Sequence, residues 1–277
     1  MAAADVGGAQ RVAKAAFDGL EASTGVPEPP PPSPEAARLR YDHPLATDPG
    51  GCWVGERHGQ IVGVAIAIVR EGLWGLSLLA VDPAHQSGGL GRELLARASA
   101  YGDGARGRII LSSPDSRAVA AYLGLGLELA PAVAASGVPR SLELSGAVRP
   151  ATRADAAMMD EASRAVRGAA HGADIDSLAA MGHRVLVLPG RGYATLGRGS
   201  VSLLAARDQE SAAELLRAAL ADVGDEQVRV EWMTARQPWA VRVCREAGLR
   251  FHLGWGAVLT GGDVGPLQPY LPSGAYL

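Results

Sequence analysis

The stretch LAVDPAHQSGGLGRELLARA, residues 79–98, decides the fold, because it joins an apolar strand to a helix through a glycine-rich loop. Residues 76–81 are apolar apart from Ser77 and show no alternation, as in a strand covered on both faces. Asp82-Pro83 follows directly and ends the strand, since proline cannot donate to a sheet ladder. After Arg92, apolar and small residues recur at helical spacing, namely Leu94, Leu95 and Ala98. The sequence therefore predicts a strand, a loop and a helix in that order.

The loop itself has the composition of an anion-binding turn. Three of its four central positions are glycine, at Gly88, Gly89 and Gly91. Glycine lets the backbone turn its amides toward one point, and the start of a helix adds a positive dipole end. This combination is the recurring way to hold a phosphate or pyrophosphate group.

The spacing of the glycines distinguishes between kinds of nucleotide site. Dinucleotide sites need G-x-G-x-x-G and nucleoside triphosphate sites need G-x-x-x-x-G-K-[ST], and neither fits. The pattern present is Q-x-x-G-x-G, carried by Gln86, Gly89 and Gly91 after a V-x-P strand end. It resembles the coenzyme A loop of the GNAT acetyltransferase superfamily. The alternative is a glycine-rich turn that binds no ligand.

A second motif follows at the distance that this resemblance requires. Residues 115–127, DSRAVAAYLGLGL, are similar to the superfamily pattern N-x-x-A-x-x-x-Y-x-x-x-G-F. Asp115 stands where asparagine is usual and Leu127 where phenylalanine is usual. Asp115 is also suited to cap the helix predicted at residues 117–123. Taken alone, Tyr122 would be expected in a core or on a surface, and the preceding motif is what favours a catalytic role.

The resemblance implies a set of site residues. Backbone groups of one strand would pair with the pantetheine arm, at Leu79, Ala80 and Val81. The loop would bind the pyrophosphate through Gln86, Ser87, Gly88, Gly89, Leu90, Gly91 and Arg92. Asp115 would touch pantetheine, and Arg117 is a further candidate phosphate partner with Arg92. Tyr122 would be the general acid that protonates the departing sulfur.

The general base is left open by the sequence. Many relatives carry a glutamate on the strand before the loop, whereas residues 76–81 contain no acidic residue. Glu56, Glu71 and His85 are nearby alternatives, as is an ordered water. The tail at residues 266–277, PLQPYLPSGAYL, is apolar and aromatic, so we expect it to dock at the junction of two halves and it is a further source of a base.

Residues 148–155, VRPATRAD, resemble the first strand and helix cap of a second GNAT domain. Repeated segments support this interpretation, because ELL at 214–216 repeats ELL at 93–95 and CREAGL at 244–249 aligns with YLGLGL at 122–127. We therefore predict an α+β (mixed α/β) fold with two tandem GNAT-like domains, each a mainly antiparallel sheet flanked by helices. The predicted division is a catalytic domain at 1–145 and a degenerate domain at 146–277.

The second copy lacks the residues that coenzyme A requires. Where the first half has Gln86 and its glycines, the second reads Arg207-Asp208-Gln209-Glu210-Ser211-Ala212. A glutamate and an aspartate there would face a pyrophosphate with like charge, at on the order of 1 to 4 kcal/mol per contact near a surface. Cys244 replaces the tyrosine. We predict that only the first half is catalytic.

Flanking segments predict the remaining elements. Residues 10–20 are typical of a helix, and Ser33-Pro34-Glu35 of the capped start of a second helix through Arg40. The proline-rich residues 26–34 between them are either a stiff connector or a functional segment. The resemblance makes Tyr41, Asp42 and His43 candidate acceptor contacts. A hairpin is predicted at 52–69, and a closing strand at 138–144.

Composition excludes several function classes. The formal net charge of -3 and pI near 6.1 give no basic footprint for nucleic acid. Cys52 and Cys244 form no CxxC pair, so neither a zinc site nor a disulfide framework is expected. The longest apolar run, residues 61–69, is too short to span a bilayer. We expect a cytoplasmic monomer or homodimer that binds no membrane or metal.

Two functional hypotheses follow. The favoured one is an acetyl-CoA-dependent N-acetyltransferase that passes the acetyl group directly to an amine of a small molecule or peptide. The alternative is a non-catalytic acyl-CoA-binding or regulatory protein that kept the cofactor loop but lost its base.

Overall fold

The computed structural model describes residues 1–24, 32–197 and 199–277. The α-helices in these ranges are α1 (Val6–Thr24), α2 (Pro34–Thr47), α3 (Leu90–Ala100), α4 (Ser116–Leu123), α5 (Ala156–Arg167), α6 (Ala173–Ala180), α7 (Gln209–Val223) and α8 (Pro238–Glu246). The strands are β1 (Cys52–Arg57), β2 (Gln60–Arg70), β3 (Leu73–Val81), β4 (Gly107–Ser112), β5 (Glu128–Gly137), β6 (Arg149–Pro150), β7 (Arg184–Leu188), β8 (Gly192–Gly197), β9 (Ser200–Ala206), β10 (Val228–Met233), β11 (Arg250–Gly262) and β12 (Tyr270–Leu271). No helix of these residues is long and apolar enough to cross a membrane.

One sheet runs through the whole molecule in the order β1-β2-β3-β4-β11-β5-β10-β9-β8-β7-β6, with β12 beside β9. Its pairs are antiparallel except for β3 with β4 and β9 with β10. The mixed α/β class with a mainly antiparallel sheet is therefore confirmed.

The two halves exchange a strand. Strand β11 of the second half lies between β4 and β5, while β5 of the first half lies between β11 and β10. The sheets of the two halves are thus joined into one, and neither half completes its sheet alone.

Helices cover both faces of the sheet. On one face, α3 and α4 pack over the first half and α7 and α8 over the second, around cores that include Trp74 and Trp239. On the other face, α1 and α2 cover the first half and α5 and α6 the second. Each face therefore carries equivalent helices from the two halves.

Most predicted local elements are present. The hairpin pairs Arg57 with Gln60, and α2 begins where predicted, with the Ser33 hydroxyl accepting a hydrogen bond from the Ala36 amide at 3.1 Å. The second helix is longer than predicted, because it continues through Pro44 to Thr47. Of the proline-rich connector predicted at 26–34, residues 26–31 lie outside the described residues.

The closing strand predicted at 138–144 is wrong, because the preceding strand already ends at Gly137. Pro139 lacks a donor for a ladder, and the Arg140 amide donates to the Ala247 carbonyl at 2.8 Å instead. Leu142 packs against the core beneath α7 and α8. Leu142 and Val148 of this segment, residues 138–148, which we call the linker, therefore cover the core beneath these helices, whereas Val138 and Leu144 are exposed.

The tail docks at the junction of the halves, as its composition predicts. Tyr276 and Leu277 are buried, and the Ser77 hydroxyl of β3 donates to the Ala275 carbonyl at 2.6 Å. The Leu277 carbonyl oxygen accepts hydrogen bonds from Arg167 at 2.8 Å and Tyr270 at 2.7 Å. The chain end is therefore held by both halves.

Candidate active site

The site begins where β3 separates from β4. Their parallel pairing runs from Leu73 to Leu76 and stops there. On its other edge, β3 remains paired with β2 as far as Val81, with a bulge at Ser77. Residues 79–81 therefore carry backbone donors and acceptors on an edge that β4 does not cover, and such an edge can pair with an extended ligand arm.

The glycine loop follows directly and reverses the chain into α3. Gly89 caps the helix in the left-handed region at φ 87°, which glycine adopts at no steric cost. Ser87 also has positive φ, at 65°. The Gln86 side-chain amide donates to the Val81 carbonyl at 3.0 Å and ties the loop to the strand end.

Gly89 has no side chain that could accept hydrogen bonds from the first backbone amides of α3. The Glu93 amide bonds the Gly89 carbonyl at 3.1 Å, so the amides before it are available to a ligand at the positive end of the helix. Arg92 lies beside this turn. The geometry fits an anionic group such as a pyrophosphate.

Asp115 begins the second helix of the site. Its carboxylate caps α4 by accepting from the Arg117 amide at 2.8 Å, and it pairs with the Arg117 guanidinium at 2.7 Å. These bonds with Arg117 lower the pKa of Asp115 despite partial burial. The carboxylate is therefore anionic at neutral pH, and the paired arginine remains 62% exposed toward any neighbouring anion.

Tyr122 lies on the inner face of α4. Only 6% of it is exposed. Burial, and then the charge of Asp115, raise the pKa of the Tyr122 phenol. The group is therefore a protonated phenol at neutral pH, which can donate a proton or hydrogen bond but cannot act as a base.

These elements enclose a cleft of about 740 Å³. The predicted site residues that line it are Leu79, Ala80, Val81, Gln86, Ser87, Gly89, Gly91, Arg92, Asp115, Arg117 and Tyr122. Gly88 and Leu90 are not in the lining. The Leu90 side chain points instead toward Gly55 and Gly63 of the hairpin, in the core under α3.

The cleft also has walls that sequence reasoning missed. Ala16 and Phe17 of α1 contribute one side, and no local signal connects them with the loop because they lie far away in the chain. Ala118 and Ala121 contribute another, and helical spacing would have indicated them, because Ala118 is three residues after Asp115 and Ala121 is four after Arg117. Pro83, Ser113 and Ala120 complete the lining.

None of the three proposed bases lines the cleft. Glu71 instead pairs with Arg164 of the second half at 2.7 Å, and this hydrogen bond is the main cause of its lowered pKa. Glu56 is exposed, and His85 lies 3.5 Å from Asp82. The identity of the base therefore stays open.

The equivalent region of the second half is built differently. The Asp208 carboxylate caps α7 by accepting from the Ser211 amide at 2.8 Å, so a carboxylate of the chain itself occupies the anion position. Helix α7 packs directly against α8, whereas the cleft separates α3 from α4. The linker adds Leu142 and Val148 over this helix pair.

The three candidate acceptor contacts lie within α2 and have separate environments. Tyr41 is buried in the core beneath α1. Asp42 pairs with Arg38 at 3.0 Å on the surface. His43 is 2.7 Å from the buried Asp174 of the second half, which also binds Arg70. In the part of the chain that the structure describes, no group of three or more histidine, cysteine, aspartate or glutamate residues is placed to hold a metal ion.

Comparison with known proteins shows what this chain is similar to. Residues 15–127 match the family model described as the acetyltransferase (GNAT) family. The fold is similar to that of a proposed acetyltransferase of Pyrococcus horikoshii, with 15% identity, a TM-score of 0.82, and coverage of 100% of this chain and 94% of that one.

Two further solved structures are similar over nearly the full chain. A tandem GNAT protein from the clavulanic acid biosynthesis pathway has 17% identity and a TM-score of 0.56, with 95% of this chain and 97% of that one covered. A GCN5-related N-acetyltransferase from Sphaerobacter thermophilus has 15% identity and a TM-score of 0.57, with 95% and 94% covered. No curated protein sequence matches.

Proposed function

We propose that this chain, whose residues 15–127 match the acetyltransferase (GNAT) family model, transfers acetyl from acetyl-CoA to an amine in the first half. The observation that carries the proposal is the uncovered edge of β3 at residues 79–81, which opens into the cleft between the glycine loop and Tyr122.

The coenzyme would be held by groups that are already oriented. Backbone groups of Leu79 and Val81 would pair with the pantetheine arm, as an added strand does. The amides at the start of α3 and the guanidinium of Arg92 would bind the pyrophosphate. Arg117, held by Asp115, would add a second cation at the cleft.

The reaction requires the amine nitrogen to form a bond to the thioester carbon while the carbon–sulfur bond breaks. The departing sulfur takes a proton, and the nitrogen loses one, so the charges balance. Tyr122 would supply the proton or a hydrogen bond to the sulfur, because its phenol stays protonated. Holding both reactants in one cleft supplies the orientation that favours direct transfer.

The second half, from residue 146, would serve as support for the catalytic half, residues 1–145. Its own anion position is filled by Asp208, and its helices α7 and α8 are packed together. Strand β11 completes the sheet of the first half. We therefore expect one acetyl-CoA to bind per chain in isothermal titration calorimetry.

A free-thiol assay tests the proposal. The full chain with acetyl-CoA and a panel of amines should release coenzyme A above the hydrolysis rate with at least one amine. Gly89→Glu, which copies the second half, should abolish that release. Binding of acetyl-CoA without release for any amine would instead indicate a non-catalytic acyl-CoA-binding protein.

A further inference from the structure

Arg40 has an unusual environment beside the strand bulge. This side chain reaches from α2 to Ser77 of β3. Its Nη2 atom donates to the carbonyl of Ser77 at 2.8 Å and to the hydroxyl of Ser77 at 2.7 Å. The guanidinium carbon lies 5.4 Å from the ring centre of Tyr276 in the tail.

The charge of Arg40 is not neutralised by the protein. No carboxylate lies within 4.0 Å of it among the residues whose side chains the structure describes. Its Nη1 atom is buried and has no hydrogen-bond partner there. A desolvated guanidinium without a counter-ion is unfavourable, so this position fits an anionic ligand group.

Two tryptophans of the second half lie near the tail whose Tyr276 contacts Arg40. Trp232 lies in a bulge of β10 and Trp255 in a bulge of β11, on either side of β5, and their rings meet edge to face at 6.2 Å. Trp232 has a φ of 60°, which is rare for a bulky residue and is found where the surroundings hold a functional arrangement. The indole nitrogens of both are buried without partners.

The tail connects Arg40 with these tryptophans. Gly274 faces the Trp232 nitrogen, since a Cβ at Gly274 would lie 3.7 Å from it, and Tyr276, two residues further, contacts Arg40. Glu231 does not make this region acidic, because it pairs with Arg229 at 2.7 Å. The unpartnered groups of this region are all donors, so the complementary ligand must bring acceptors.

We propose that the acceptor is an amine that also carries a carboxylate, and that Arg40 binds this carboxylate. This inference rests on the proposed acetyl transfer. In the proposed function the pantetheine arm pairs with Leu79, so the amine that attacks the thioester would lie near that residue. Arg40 is bound at Ser77, two residues away and roughly 7 Å along an extended strand, so the amine and the carboxylate would be joined by a chain of a few atoms. An amino acid has this form. Trp232, which lies next to Gly274 of the tail, would be on one side of this amine.

The experiment compares free amino acids with their C-terminal amides. The full chain is assayed with acetyl-CoA and the twenty common amino acids, each as the free acid and as the amide. We expect kcat/KM to favour the acid at least tenfold for the best substrate. Arg40→Gln should lower kcat/KM for that acid by about 10- to 150-fold, the range for a lost hydrogen bond to a charged group. It should change kcat/KM for the amide far less, because the amide carries no charge for Arg40 to pair with.

Matched variants separate recognition from folding. Arg38→Gln removes an exposed arginine on the same helix and should leave both substrates unchanged, and Arg40→Lys should retain part of the preference for the acid. Trp232→Phe, which keeps a ring but removes the indole donor, should weaken use of the acid. Thermal unfolding and acetyl-CoA affinity of Arg40→Gln report on its fold.

The outcomes distinguish this inference from the proposed function. An equal loss for acid and amide in Arg40→Gln would overturn the inference, since it would mean that Arg40 only braces the bulge. If no amine is acetylated, the proposed function fails, and calorimetry of the free amino acids with the coenzyme A complex becomes the test. Binding that Arg40→Gln abolishes would then sustain the carboxylate site, and absence of binding would overturn it.

Discussion

Replacing Gly89 by glutamate should disable the coenzyme loop. Gly89 has a φ of 87°, and a side chain in that region costs about 1–2 kcal/mol. A Cβ there meets only the Arg92 side chain, at 3.9 Å, so no steric clash is added. A carboxylate so close to a bound pyrophosphate would add roughly 1 to 4 kcal/mol of repulsion and withdraw Arg92 from the ligand.

The repulsion alone predicts that the Kd for acetyl-CoA rises by roughly 5- to 1,000-fold in isothermal titration calorimetry. Gly104→Glu is the matched control, because Gly104 has a φ of 86° with open space around it and lies outside the cleft. It should lose similar folding stability and keep the wild-type Kd. An unchanged Kd in Gly89→Glu would refute the assignment of the loop.

Three further changes test separate parts of the molecule. Tyr122→Phe should lower kcat about 100-fold and leave the affinity for acetyl-CoA nearly unchanged, whereas the control Tyr101→Phe, outside the cleft, should retain the wild-type kcat. Equal kcat values for the wild type and Tyr122→Phe would show that the phenol has no part in the reaction. Asp174→Asn breaks the buried contact with Arg70 and His43 and should lower the free energy of unfolding, measured with urea, by about 3 kcal/mol. The exposed control Asp42→Asn should lower it by less than about 0.5 kcal/mol. An equally small loss for both variants would show that the buried contact does not stabilise the fold. Burial and the charge of Arg167 lower the pKa of His171 well below its usual value, so the free energy of unfolding should be highest above about pH 6.5 and should fall by up to about 1.4 kcal/mol per pH unit below it. In urea titrations His171→Gln should lose this part of the pH dependence, and the same pH dependence in the wild type and the variant would contradict the assignment to His171.

Local sequence signals predicted the parts of the site that depend on local backbone geometry. The loop at 86–91 and the capped helix at Asp115 are set by glycine and by a capping carboxylate, whose effects act within a few residues. The tail docked as predicted because an apolar end gains from burial.

Features that depend on distant partners were not predictable in the same way. Phe17 reaches the cleft from α1, and the exchange of β5 and β11 depends on which strand edges meet in space. Residues 138–144 carry apolar side chains separated by polar ones, a pattern that suits either a strand or a segment that covers a helix with one side chain. Only the packing of α7 on α8 decides between them.

Mass spectrometry of the reaction products tests the central claim most directly. The wild-type chain is incubated with acetyl-CoA carrying an isotopically labelled acetyl group and with the amine panel. The account predicts a labelled N-acetylated amine that is formed by the wild type and by Gly104→Glu but not by Gly89→Glu. Labelled acetyl-CoA that binds the wild type and yields no labelled amine from any member of the panel would contradict it.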